Sequence, residues 1–155
     1  MMAYKVFISY STKDISVVDY LSKILKDMSI EAFVAADSVG PGRPLSESIN
    51  TAIKGCDLFL LLWSSNSKTS EWVPQEIGIA KSSGKLILPV ILEPGLELPG
   101  FIKDLKYLET YKDPHVAIAY LRDYVLSLAQ EKGKRDSLVL LSIFGALLWL
   151  FTKKE

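Results

Sequence analysis

The sequence has almost no cysteine or histidine and no excess of charge of either sign. A single Cys excludes a disulfide framework and a multi-cysteine zinc site, and a single His argues against histidine metal clusters. Eighteen Lys and Arg balance eighteen Asp and Glu, so the chain lacks the basic surplus with which proteins capture nucleic acid. We therefore expect neither a metal site nor a nucleic-acid partner, and we expect Cys56, which precedes an apolar run, to be a small buried residue.

What the sequence has in surplus is apolar residues, and they are concentrated at the C-terminus. Residues 138–151 contain 12 apolar residues out of 14 and have basic residues on both sides. The apolar positions surround a helix instead of forming one stripe, so this helix would need burial on every side. Residues 137–152 would give roughly 24 Å of helix against a bilayer core of about 30 Å. We expect a short transmembrane or membrane-anchoring helix there; the alternative is a helix buried in the core or against another subunit.

Before this tail, strand-like and helix-like segments alternate along the chain. The pattern predicts strands at 4–9, 30–34, 57–63, 86–92 and 106–108, and helices at 15–28, 45–54, 70–83 and 113–131. Such alternation is typical of an α/β protein with right-handed crossovers. We predict a flavodoxin-like three-layer fold, with a five-stranded parallel sheet in the order 2-1-3-4-5, helices on both faces and a C-terminal hydrophobic helix. The domain would cover 1–131, a linker 132–136 and the anchoring helix 137–152.

This strand order places a ligand crevice at the carboxyl ends of the first and third strands, where the chain reverses direction. The loops 9–14, 35–46 and 64–76 should meet there. The loops after the first and third strands lack the acids of a phosphoryl-accepting receiver, and the loop after the first strand lacks the glycine of a flavin phosphate loop. The run Gly40-Pro41-Gly42 has no third glycine in register for a dinucleotide fingerprint.

The same loops resemble those of TIR (Toll/interleukin-1 receptor) domains, over residues 4 to about 128. Residues 4–14 (YKVFISYSTKD) are similar to the opening strand and loop of that family, and 33–53 to its second strand, mobile BB loop and following helix. Residues 64–76 resemble its third-strand loop and Trp-x-x-x-Glu element, with Trp72 and Glu76 in the matching positions. Residues 87–90 (ILPV) resemble the next strand.

Many members of this family cleave NAD+ between nicotinamide and ribose, so the resemblance implies NAD+ as the substrate, no separate cofactor, and Glu76 as the catalytic residue. Nicotinamide is cationic in NAD+ and leaves as a neutral molecule without a general acid. What remains is to stabilise an oxocarbenium-like ribose, which a carboxylate can do. Trp72, four residues before Glu76, would share its helical face.

The other expected site residues lie in the same three loops and would contact the base, the ribose or the pyrophosphate. The expected substrate-binding residues are Tyr10, Ser11, Thr12, Asp37, Arg43 and Trp72. The expected assembly or gating loop contains Gly40, Pro41, Gly42 and Pro44, because glycines permit the backbone changes that a gate requires.

We therefore expect an NAD+ glycohydrolase of immune-type or stress signalling that forms ADP-ribose or a cyclic isomer. Its activity would depend on self-association through TIR–TIR contacts, with the domain on the cytoplasmic side of a membrane. The alternative is a non-catalytic adaptor that signals by the same association. An adaptor would not need a carboxylate at position 76.

Overall fold

The computed structural model describes residues 3–34 and 47–152. Within these ranges five strands form one sheet: β1 (Lys5–Ser9), β2 (Glu31–Val34), β3 (Leu58–Trp63), β4 (Leu86–Ile91) and β5 (Leu108–Glu109). Every pairing is parallel, and the strand order is β2-β1-β3-β4-β5. The predicted fold class and strand order are confirmed. All six residues of β3 are buried, as expected for a central parallel strand with helices on both faces.

The described helices are α1 (Ile15–Asp27), α2 (Glu47–Gly55), α3 (Ser65–Lys68), α4 (Val73–Ser82) and α5 (Pro114–Thr152). Short 3-10 turns occupy Thr12–Asp14 and Gly100–Ile102. Side chains of α1 and α5 pack into one core cluster, and those of α2 and α4 pack into a second cluster on the other face of the sheet. The result is the expected three layers.

Two local elements differ from the sequence prediction. Residues 64–69, predicted as a loop, contain α3 because Ser64 and Ser67 form a capping box. Each side-chain oxygen accepts a bond of 3.2 Å from the other residue's backbone N–H. Strand β5 pairs only through Leu108 and Glu109, slightly later than the predicted 106–108.

Helix α5 begins as predicted and extends much further. The Asp113 carboxylate accepts a bond of 3.2 Å from the Val116 N–H, and Pro114 is the first helical residue. The helix then continues for 39 residues, through 132–136, which the sequence suggested as a linker. Near that point Lys132 Nζ lies 2.8 Å from Asp57 Oδ2 and 3.1 Å from the carbonyl oxygen of Ala3. This contact holds α5 to the starts of β1 and β3.

The predicted membrane-anchoring helix, and the membrane localisation that depended on it, are wrong. In residues 3–34 and 47–152 no helix combines the length and the apolar composition needed to cross a bilayer. The physical reason is length: the 14-residue apolar run gives only roughly 21 Å of helix, and the preceding turns of α5 are charged. Eight large apolar side chains described between Leu138 and Leu150 are 48% to 66% exposed.

Candidate active site

The loops that follow β1 and β3 meet at the carboxyl edge of the sheet. Ser9 at the end of β1 lies opposite Leu61 in β3, so both strands end at the same edge. The Ser64 hydroxyl donates to Asp14 Oδ2 at 2.5 Å, and the Asn66 side-chain amide donates to Asp14 Oδ1 at 3.1 Å. The strand order alone predicts this meeting, because the chain reverses direction between these strands.

Helix α4 places Glu76 in its first turn, directly after the loop that follows β3. Pro74 stands at the start of the helix, where its missing N–H has no intrahelical partner to lose. The Glu76 N–H donates to the Trp72 carbonyl at 3.0 Å. The partial positive charge of a helix N-terminus favours a carboxylate at this position.

The Glu76 side chain is buried on the apolar face of α4. The residue is only 4% exposed, and its neighbours Val73 and Ile77 are fully buried in the cluster between α4 and the sheet. Glutamate is among the residues that are almost never fully buried unless paired. A buried carboxylate at the ligand-binding edge of a parallel sheet is therefore unusual, and its position makes Glu76 the leading candidate for a functional residue.

Trp72 immediately precedes α4 and is half-buried. Its backbone N–H and that of Val73 donate to Ser70 Oγ at 3.3 and 3.4 Å. These bonds fix the chain direction at the point where the helix starts. Trp72 and Glu76 thus lie on successive turns, as the Trp-x-x-x-Glu spacing predicts.

The loop after β1 is compact and largely buried. Tyr10 is 7% exposed and packs into the core cluster shared with α1 and α5, so its ring offers little face for stacking on a base. Ser11 is 8% exposed, and its oxygen accepts a bond of 3.4 Å from the Lys13 N–H. Thr12 is exposed at the start of the 3-10 turn. The substrate contacts assigned to these residues stay predictions.

The remaining predicted site residues lie outside the described residues. These are Asp37, Arg43, Gly40, Pro41, Gly42 and Pro44. Their roles in substrate binding, gating and assembly stay predictions.

Cys56 is buried and its thiol is free, as expected. Burial raises the pKa of this thiol, so it stays in the neutral form. Among the described residues no group of three or more His, Cys, Asp and Glu side chains is placed to hold a metal ion.

A groove of about 400 Å³ lies on the α1 and α5 face, at the ends of β4 and β5. Its walls are mostly apolar and include Val17, Leu92, Leu108 and Ile118. Of the predicted site residues that the structure describes, none lines it. Helix α4, which carries Glu76, packs on the opposite face of the sheet through Val73 and Ile77, so this groove is separate from the candidate active site.

Sequence reasoning missed the role of Asp14. The residue occupies the N-cap position of α1. Its side chain makes no capping bond and instead accepts the bonds from Ser64 and Asn66. These partners are 50 and 52 residues away in sequence, so no local pattern signals the contact.

The chain is thus an α/β protein with a buried carboxylate at the switch point of a parallel sheet. Residues 6–121 match the family model described as TIR domain. Because this match spans well over half of the chain, the protein belongs to the TIR domain family. A comparison with curated protein sequences found no significant match.

Several solved structures share this fold. The TIR domain of the Toll-related receptor TRR-2 from Hydra magnipapillata is 24% identical, with a TM-score of 0.66 over 81% of this chain and 98% of that one. The CMP N-glycosidase BcmB of Clostridium botulinum is 20% identical, with a TM-score of 0.56 over 75% and 97%. The TIR domains of the activated Roq1 resistosome, which recognises the pathogen effector XopQ, are 20% identical, with a TM-score of 0.52 over 83% and 84%. At these identities the likeness concerns the fold alone.

Proposed function

We propose that this TIR domain cleaves NAD+ at the nicotinamide–ribose bond, with Glu76 as the catalytic residue. The observation that carries the proposal is the burial of the Glu76 carboxylate, 4% exposed, in the first turn of α4 at the carboxyl edge of the sheet. A carboxylate removed from water interacts more strongly with a positive charge than an exposed one. Water would screen an exposed Glu at this position, which would attract the same cation less strongly.

The reaction needs little more than this carboxylate. The bond between ribose C1′ and the nicotinamide nitrogen breaks, and its electron pair leaves with nicotinamide, which becomes neutral. Positive charge then develops on C1′ and the ribose ring oxygen, next to Glu76. Attack by water gives ADP-ribose and releases a proton, whereas attack by an adenine ring nitrogen gives a cyclic isomer.

The size of the electrostatic effect is sufficient for catalysis. Two opposite charges about 4 Å apart at an effective dielectric constant of about 20 attract by about 4 kcal/mol. If this attraction develops only in the transition state, it accelerates bond cleavage by roughly 10³-fold. One carboxylate can therefore supply a large share of the catalysis.

Two of the similar structures support parts of this proposal. BcmB is a CMP N-glycosidase, so a protein of this fold acts on an N-glycosidic bond of a ribonucleotide. Nicotinamide is joined to ribose in NAD+ by a bond of the same class. The Roq1 TIR domains come from an activated resistosome that recognises a pathogen effector, which supports assembly-dependent activity in immune-type signalling.

The experiment is to incubate the purified protein with NAD+ and to quantify nicotinamide over a series of protein concentrations. We expect nicotinamide release that rises more steeply than the protein concentration, and we expect Glu76→Ala to abolish it. CMP in a parallel reaction tests the substrate, because cytosine release without nicotinamide release would refute the NAD+ assignment. A wild-type protein that self-associates but cleaves nothing would favour the adaptor. Equal release by wild type and Glu76→Ala would show that Glu76 is not the catalytic residue.

A further inference from the structure

We infer that Asp14 is a positioning residue that holds the loop after β1 against the segment that carries Trp72 and Glu76. This inference rests on the proposed function, because positioning has a catalytic meaning only if Glu76 is catalytic. The contact itself is a feature of the fold and can be tested separately. We call Asp14, Ser64 and Asn66 the Asp14 clamp.

Both oxygens of the Asp14 carboxylate are used by the clamp. Oδ2 accepts the Ser64 hydroxyl at 2.5 Å, and Oδ1 accepts the Asn66 amide at 3.1 Å. Asp14 is half-buried and Ser64 is 2% exposed. Hydrogen bonds to a charged acceptor are roughly twice as strong as neutral ones. Two such bonds to neighbouring donors fix the position and also the orientation of the segment they hold.

A series of hydrogen bonds connects Ser64 to Glu76. The Ser67 N–H donates to Ser64 Oγ at 3.2 Å, and the Ser70 N–H donates to the Ser67 carbonyl at 3.1 Å. The Trp72 N–H donates to Ser70 Oγ at 3.3 Å, and the Glu76 N–H donates to the Trp72 carbonyl at 3.0 Å. A displacement of Ser64 would therefore also displace the start of α4.

On its other side Asp14 is tied to the loop after β1. The Asp14 N–H donates to the Ser11 carbonyl at 2.8 Å. Tyr10 and Ser11 are both buried, so this loop cannot shift without disturbing the core. The clamp therefore fixes the position of the Trp72–Glu76 turn relative to the buried loop after β1.

The inference predicts a loss in kcat with little change in KM. A displacement of about 1 Å in a catalytic group can cost about 100-fold in rate. We expect Asp14→Ala to lower kcat by about 10- to 100-fold and to change KM by less than about threefold, as for an interaction expressed in the transition state. Asp19→Ala, an exposed aspartate on α1, is the matched control and should keep wild-type kcat.

A double-mutant cycle tests whether the clamp acts as one unit. The variants are Asp14→Ala, Ser64→Ala and the double variant, each assayed for nicotinamide release at saturating NAD+. If Asp14 acts through Ser64, the double variant loses about as much kcat as Asp14→Ala alone. Losses that multiply, or a kcat of Asp14→Ala within about twofold of wild type, would overturn the inference. If Asp14→Ala does not fold, Asp14→Leu takes its place under the same criteria, because its side chain fills the site and has no acceptor oxygen.

Hydrogen exchange separates failure of the clamp from failure of the proposed function. Exchange is measured by mass spectrometry on peptides covering 64–76 and, as an internal control, Leu86–Ile91. The clamp predicts faster exchange in 64–76 of Asp14→Ala and unchanged exchange in the control strand. A wild-type protein that releases no nicotinamide refutes the proposed function, and the exchange result then decides the clamp. Unchanged exchange in 64–76 would overturn it.

Discussion

The ion pair between Lys132 and Asp57 should make a measurable contribution to stability. The two side chains are 13% and 25% exposed, and their charged atoms are 2.8 Å apart. Lys132 Nζ also donates to the Ala3 carbonyl at 3.1 Å, and the same Asp57 oxygen accepts the Lys5 N–H at 2.8 Å. Lys132→Met keeps a similar aliphatic stem and removes the ammonium group. Asp57 then keeps its charge and loses its cation.

The expected cost follows from this partial burial. Hydrogen bonds to charged groups contribute about 1.5–3 kcal/mol, and exposed ion pairs contribute less than about 1 kcal/mol. For a pair that is mostly buried we expect Lys132→Met to lower the free energy of unfolding by about 2 kcal/mol. For a chain of this size that corresponds to a decrease in Tm of about 4–8 °C.

Thermal unfolding followed by circular dichroism measures this effect. The matched control is Lys103→Met, because Lys103 and Glu97 are 67% and 85% exposed and their charged atoms are 3.9 Å apart. We expect the control to change stability by less than about 0.5 kcal/mol. Equal Tm values for wild type and Lys132→Met would refute the reasoning that α5 is fastened to the domain at this point.

Three further predictions concern other parts of the chain. Backbone and side-chain hydrogen bonds from Ser65 lower the pKa of Glu93 below its ordinary 4.5, so the carboxylate stabilises the fold above pH 4.5 and loses this effect as the pH falls through the lowered value. The Tm difference between wild type and Glu93→Gln should therefore be present at neutral pH and vanish in acid; a difference independent of pH would contradict it. The buried Cys56 thiol, whose pKa burial raises, should react with Ellman's reagent only after denaturation, and rapid reaction in the native state would contradict the structure. A chain ending at Asp136 keeps Lys132 and should unfold at nearly the same temperature as the full chain, because the apolar side chains removed are largely exposed; a large decrease in Tm would show that they support the core.

The order of the strands could be predicted because it follows from general rules acting on clear patterns. The unbroken apolar run that became β3, and the helical spacing of Val18, Leu21 and Leu25 in α1, indicate βαβ units. Such units have few arrangements. The start of α5 was also predicted to within one residue, because the Asp-Pro signal at its start lies within the local sequence.

The elements that could not be predicted depend on small or distant interactions. Helix α3 has four residues, too short for periodicity, and it exists because Ser64 and Ser67 cap each other. The prediction of a membrane-anchoring helix at 137–152 was wrong because the composition of this segment suits a membrane but its length does not.

For the candidate site, too, some features could be predicted from the sequence and others could not. The position of Glu76 at the crevice follows from its place after β3. Its burial depends on how α4 packs against the sheet through the buried side chains of Val73 and Ile77. The bond between Asp14 and Ser64 joins residues 50 positions apart. No pattern within one loop could reveal it.

The most direct test of the account is the steady-state kinetics of Glu76→Gln, compared with Glu71→Gln as a control. Glu71 lies in the same segment and is exposed, so both variants remove one charge from nearly the same place. If the buried carboxylate stabilises the ribosyl cation, Glu76→Gln should lower the kcat for nicotinamide release by roughly 10³-fold with a small change in KM, and Glu71→Gln should behave as wild type. A Glu76→Gln variant with wild-type kcat, or one altered only in KM, would contradict the assignment of Glu76 as the catalytic residue.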